Sequence, residues 1–210
     1  MKGNQRRAVA IAKKIFGEIR IEAGRTEKEV ADWIKGRLAE LGTKPAFRII
    51  VASGARATKP HGYATNKKIK TGELVVVDFG ALYQGLRSDI TRTFVIGKPT
   101  AKQKKVLAIV RKAQQKAIAA VKAGQESRLV DRAARNYITK RGFGKYFIHT
   151  TGHGVGRKVH EAPKISRKNK NRLRAGQVIT IEPGIYIKGW GGVRIEDMVL
   201  VTKKGCKVLT

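Results

Sequence analysis

The chain has 210 residues, 41% of them hydrophobic, enough for one well-cored domain and short for two. One cysteine, Cys206, excludes an internal disulfide framework and suits a reducing, cytoplasmic compartment; no apolar run approaches the roughly 20 residues that span a bilayer. Lys and Arg number 46 against 15 Asp and Glu, a net charge of +31. Such a charge suggests non-specific contact with nucleic acid or other polyanions. Yet the basic residues are spread over nearly every expected helix and loop, no aromatic residues interleave with them, and no nucleic-acid motif is present. A solvated or resurfaced basic exterior and a selected polyanion-binding role both fit this pattern.

The opening "MKGNQRRAVAIAKKIF" is basic and amphipathic. A mitochondrial presequence shares that character, but the segment fits a first helix, and it lacks the apolar core and cleavage site of a secretory signal. "AGRTEKEVADWIKGRLAELG" (23–42) follows, with Thr26 and Glu29 as a capping box and Val30, Trp33, Ile34, Leu38 and Leu41 at helical spacing. The same plan returns in "AGQESRLVDRAARNYITKRG" (123–142), where Leu129, Val130, Ala133, Ala134, Tyr137 and Ile138 take the apolar positions. A helix marked by Val106, Ile109, Val110, Ala113, Ala117 and Val121 precedes this second copy. The chain therefore reads as a single domain over 1–210 with two pseudo-repeat halves, about 1–100 and 101–210.

After the helices, "SGARATKPHG" (53–62) lies over "TGHGVGRKVHE" (151–161), pairing His61 with His160 and leaving His153 as an extra. "TGELVVVDFG" (71–80) lies over "AGQVITIEPG" (175–184), pairing Asp78 with Glu182; beyond the next turn, Asp89 and Glu196 take matching places. If Gln84-Gly85 is a two-residue turn, Tyr83 faces Leu86 and Asp78 falls opposite Thr91. Asp78 and Asp89 then become diagonal neighbours ~7–8 Å apart on one sheet face. A hairpin across "KGWGG" gives Glu182 and Glu196 equal parity unless a bulge at Pro183-Gly184 shifts the register. Carboxylates at four repeat-related positions in apolar strands need compensating positive charge. With His153, set among glycines, they form a hard, oxygen-rich ligand set suited to two divalent ions, Mn²⁺ or Co²⁺, with Fe²⁺ or Zn²⁺ also compatible.

The motifs "PHG", "VVVDFG", "SDITRTF", "GHGVGRKVHEAP", "TIEPGIYI" and "GGVRIEDMVLVT" together resemble the catalytic domain of the pita-bread metallopeptidases, most closely the Xaa-Pro dipeptidases (prolidases) and aminopeptidase P. The resemblance runs from about residue 4 to the C-terminus. It implies an α+β fold of two pseudo-symmetric halves, with helices outside a curved antiparallel sheet. It implies hydrolysis of the N-terminal Xaa-Pro bond of a short peptide. Asp78 would chelate one metal, Asp89 and Glu196 would bridge both, and His153 with Glu182 would complete the other. Water acidified by the pair would attack the scissile carbonyl, with Glu182 helping to move the proton. His61 and His160 would hydrogen-bond the substrate and the tetrahedral intermediate, and Arg194 would pair with a substrate carboxylate, orient Glu196 or serve structurally.

Methionine aminopeptidases share the fold and ligands, and a catalytically weak scaffold binding polyanions is the other alternative. Creatinase shares the fold without the metals, and the intact ligand set argues against that branch. Two departures bear on substrate preference and rate. The sequence starts where the catalytic domain of proline-specific members starts, without the N-terminal domain that helps close their site, so slow turnover and a monomer or weak dimer are expected. Leu86 also stands where the family usually carries an aromatic residue.

Overall fold

A computed structural model describes residues 3–210. In the first half, helices α1 (Gly3–Glu18) and α2 (Glu27–Glu40) precede strands β1 (Lys44–Pro45), β2 (Ile50–Ser53), β3 (Leu74–Phe79), β4 (Ala81–Tyr83), β5 (Leu86–Arg87) and β6 (Ile90–Val95). The second half has α3 (Ala101–Ala119), α4 (Ser127–Lys140), β7 (Gly152–Gly154), β8 (Glu161–Ile165), β9 (Val178–Ile181), β10 (Gly184–Ile187), β11 (Gly191–Arg194), β12 (Asp197–Val201) and β13 (Cys206–Val208). Every strand pairing is antiparallel. Sheets run β2-β3-β6 and β1-β4-β5 in the first half, and β13-β12-β9-β7-β8 and β10-β11 in the second. The opening segment is helix α1 from Gly3 onward, packed through Ala8, Ile11, Ala12 and Ile15; Met1 and Lys2 lie outside the described residues. Among the described residues no helix is long and apolar enough to cross a membrane.

The helices form where local sequence directs them. Thr26 and Glu29 make the expected capping box on α2, and Thr100 with Gln103 makes another on α3. Val30, Ile34 and Leu38 bury one face of α2, while Trp33 and Leu41 are half-buried at its edge. Each helix pair packs on one face of its own sheet. Ile15, Ile34 and Leu38 meet Val75, Val77 and Phe79 in the first half; Val110, Ala134 and Ile138 meet Ile179, Ile181 and Val199 in the second. Strand alternation then turns Val76 and Asp78, and likewise Thr180 and Glu182, to the opposite face.

The repeat is visible in the backbone. Gly24 and Gly124 both have positive φ (94° and 82°) and donate to the carbonyls of Ile69 and Leu173, each at 2.8 Å. Gly is the residue that adopts this conformation without strain. Isolated bridges Thr26–Lys68 and Glu126–Arg172 repeat the same tie. The β strands, however, align differently from the sequence. Ile50 pairs with Asp78, and in the second half Thr151 accepts the Glu182 amide at 2.8 Å, so Thr151 corresponds to Ile50 rather than to Ser53. His153 consequently occupies the place that Ala52 holds in the first half. The residues after Ser53 coil into a 3-10 turn, Gly54–Thr58, with no counterpart at Gly152–Gly154.

Candidate metal centre

Both hairpins keep a continuous register. Gln84 (φ 44°) and Gly85 (φ 76°) form the first turn; Tyr83 faces Leu86 and Asp78 faces Thr91. In the second, Gly184 faces Arg194 and Ile181 faces Asp197, so Pro183 introduces no shift and Glu182 lies opposite Glu196. The halves meet along β6. Thr91 accepts the Glu196 amide at 3.1 Å, and Thr93 Oγ1 donates to the Arg194 carbonyl at 2.8 Å. This seam brings the acids of both hairpins together.

Asp78, Asp89, His153, Glu182 and Glu196 all line a cavity of about 800 Å³, with His61, His160 and Arg194 also in its wall. Ligand-capable atoms of Asp89, His153 and Glu196 lie within 4.8 Å of one another. His153 Nε2 stands 3.2 Å from Glu182 Oε1 and 3.7 Å from Asp89 Oδ2. Its Nδ1 is 3.0 Å from the Gly154 carbonyl and can donate a proton there; Nε2 then faces the carboxylates, donating to Glu182 while protonated and open to a metal once that proton is lost. Glu196 Oε2 accepts from Thr91 Oγ1 at 2.6 Å, Glu182 Oε1 accepts from Thr180 Oγ1 at 3.2 Å, and the Asp89 amide contacts Met198 Sδ at 3.2 Å. Asp78 Oδ2 accepts from Arg194 Nη2 at 2.6 Å, whereas its Oδ1 is buried with no partner.

The electrostatics are those of acids crowded away from water. Burial, then the charges of Glu196, Asp78 and Glu182, push Asp89 well above the usual carboxylate range. Burial and the charges of Glu182 and Asp78 do the same to Glu196. Burial also raises Asp78, against the pull of Arg194. Glu182 goes the other way: burial opposes ionisation, but the hydrogen bond and charge of His153 bring it down to about 2. Burial disfavours protonation of His153, and Glu182 outweighs it, for a net upward shift. Cations placed among these groups would relieve both the repulsion and the orphaned Asp78 oxygen, so the donor set fits divalent metal.

His61 and His160 are exposed at the cavity mouth, the His160 ring 4.4 Å from that of His153 and edge-on to it. Arg194 is held by several groups of the protein. Its Nε donates to Thr91 Oγ1 at 3.1 Å, Nη1 to the Pro60 carbonyl at 3.1 Å and to the Tyr186 hydroxyl at 2.9 Å, and Nη2 to Asp78. With four of its five N–H donors spent on the protein and only 3% of its surface exposed, its contacts match the orienting and structural alternatives better than pairing with a substrate carboxylate. Through Thr91 it reaches Glu196, and through Pro60 it fixes the turn that carries His61.

The sequence reading missed His149, whose Nε2 lies 2.9 Å from the Tyr186 hydroxyl, extending the chain Arg194–Tyr186–His149 along the cavity wall. Its parity with Thr151 and His153 was the available signal. It also missed the buried Asp131–Arg135 pair. Arg135 donates to the carbonyls of Phe147 and His149 at 2.9 and 2.8 Å, and Asp131 accepts from Thr151 Oγ1 at 2.8 Å, fixing the approach to β7.

Comparison with known proteins agrees with this architecture. Residues 3–203 match the model of metallopeptidase family M24. The Xaa-Pro dipeptidase of Pyrococcus horikoshii is 52% identical over 191 residues, 90% of this chain and 54% of that protein. The fold superposes on the prolidase from Pyrococcus furiosus with a TM-score of 0.97 at 48% identity, covering 99% of this chain and 62% of that one. It superposes on the X-Pro aminopeptidase from Thermotoga maritima with a TM-score of 0.96 at 42% identity, covering 99% and 59%. The chain thus spans about half the length of the curated relatives it matches. Its α+β architecture of helices on antiparallel sheets is the pita-bread fold, and the chain belongs to metallopeptidase family M24.

Proposed function

We propose that residues 1–210 form one catalytic unit that uses two divalent ions to hydrolyse the N-terminal Xaa-Pro bond of short peptides. The observation that carries this reading is the buried donor set with one unsatisfied oxygen, Asp78 Oδ1, and an imidazole nitrogen, His153 Nε2, turned toward Asp89 and Glu182. Asp78, Asp89, His153, Glu182 and Glu196 would hold the ions, with Asp89 and Glu196 shared between them and Mn²⁺ or Co²⁺ preferred. Bound there, such ions supply Lewis acidity and bring water into reactive range near neutral pH.

The chain's own groups do the rest. Glu182, whose Oε1 lies 3.2 Å from His153 Nε2, would be the carboxylate that helps to move the proton. His61 and His160, at the mouth, donate to the substrate carbonyl and its developing oxyanion. His160 is held below its ordinary pKa by burial and then by the charge of His153. Arg194 keeps Asp78, and through Thr91 also Glu196, in place. The Xaa-Pro preference comes from likeness to relatives named Xaa-Pro dipeptidase and prolidase. A cytoplasmic location and a monomeric or weakly dimeric state belong to the same reading.

The test is metal analysis coupled to a peptide panel. Protein supplied with Mn²⁺ or Co²⁺ should cleave Xaa-Pro dipeptides ahead of Met-Ala peptides and lose activity on chelation. The 210 residues alone should be slow, on the order of 100-fold below full-length relatives, if substrate-positioning contacts are missing. Cleavage of Met-Ala peptides alone would move the chain to the methionine aminopeptidase branch. Metal binding without cleavage of either would favour a non-catalytic scaffold.

A further inference from the structure

Separate from the acidic cavity, the outer side of α4 forms one wall of a second cavity of about 820 Å³. Arg128, Arg132, Arg135, Lys145 and Arg167 line it, with Asp131 as its one acid. That acid does not neutralise them. Asp131 is fully buried, and its oxygens are taken by Arg135 Nε and Nη2 at 2.8 and 2.7 Å and by Thr151. Arg135 is in turn committed to the pair and to two carbonyls, and Arg128 to Glu126. Arg132, Lys145 and Arg167 remain exposed, with no ion-pair partner among the described residues.

Cations spread over a convex surface can relax apart into water. Gathered round a concavity they reinforce one another, and the low-dielectric wall focuses their field. Guanidinium groups also match phosphate oxygens in geometry, and the space exceeds what a single phosphate fills. We propose that this cavity binds a small polyphosphate, a run of two or three linked phosphate groups, through Arg132, Lys145 and Arg167. The site reads charge and chain length, so free polyphosphate and the tail of a nucleoside triphosphate share its chemistry.

Isothermal titration with inorganic tripolyphosphate tests this, on protein dialysed against chelator so that the probe reports nothing about bound metal. At about 0.15 M ionic strength, where charges more than about 8 Å apart are largely screened, one saturable site is expected. The double variant Arg132→Glu/Arg167→Glu should bind roughly tenfold more weakly or worse, with an unchanged circular dichroism spectrum. Arg6→Glu/Arg7→Glu on α1 lowers the net charge equally and should leave affinity within about twofold. A nucleoside triphosphate that displaces the probe, while its parent nucleoside does not, assigns binding to the phosphate chain. The proposal is overturned if titration shows no saturation, if several equivalent weak sites fill together, or if both double variants weaken binding alike.

Discussion

Asp78 is satisfied on one side only. Its Oδ2 takes the Arg194 guanidinium, while Oδ1, equally buried, has no partner, a state that costs about 1–3 kcal/mol unless something binds there. Arg194→Met should therefore leave a buried carboxylate uncompensated and destabilise the metal-free protein by about 3–5 kcal/mol in urea unfolding. Adding Asp78→Asn should recover part of that loss; a double variant no more stable than Arg194→Met would assign the cost to Thr91, Tyr186 and Pro60 instead. At Asp89 and Glu196 the expectation concerns stoichiometry. Asp89→Asn or Glu196→Gln should remove both ions together in metal analysis, since each carboxylate is proposed to be shared. Retention of one ion in both variants would reject sharing.

At the level of elements, β7 carries His153 into the cavity and relies on glycine to approach its neighbours. A Cβ on Gly152 would lie 1.9 Å from the Thr180 carbonyl oxygen, a backbone atom that cannot step aside without moving β9. Gly152→Ala should cost about 1–3 kcal/mol or more and weaken metal binding with it, because the displaced strand bears a proposed ligand. Gly36, exposed in α2, has nothing within 4 Å of the corresponding position. Gly36→Ala should stabilise by roughly 0.5–1 kcal/mol in the same unfolding assay and leave metal content unchanged. The contrast separates a glycine needed for close approach from one that only loosens a helix.

Across the whole molecule, the proposed metal centre lies at the seam of the two halves, whose main cores are linked by Leu74 in the second core and by Val9 against Val155, Val178 and Met198. Ions that bind the folded state alone stabilise it by about 2.7 kcal/mol at a hundredfold excess over Kd. For a chain of this size each kcal/mol moves Tm by about 2–4 °C, so chelation should lower Tm by roughly 5–10 °C in calorimetry. The +31 charge acts against loading, because it repels cations at long range. Moderate added salt should accordingly speed metal uptake in stopped-flow measurements, through screening. Uptake that slows with salt would mean that the local field of the buried carboxylates dominates the approach.

What the sequence determined by itself is what depends on near neighbours and on alternation. The Thr26–Glu29 cap spans a single helical turn. A two-residue turn at Gln84-Gly85 sets Asp78 opposite Thr91 once strand period is known, and equal parity puts Glu182 and Glu196 on one face. Glycines at positive φ recur in both copies because both make the same backbone turn. Tertiary structure alone decided the partners of side chains that meet across the seam. Arg194 donates to Pro60, Thr91, Asp78 and Tyr186, most of them more than a hundred residues away, and these partners could not be read from the residues around it. The place of His153 over Ala52 was likewise hidden, whereas the i,i+4 spacing of Asp131 and Arg135 was legible and only their burial and their further partners were not. A long flexible side chain takes whichever partner docking brings within reach, and the docking of two helix-backed sheets is set by the packing of both cores together, which no local pattern records.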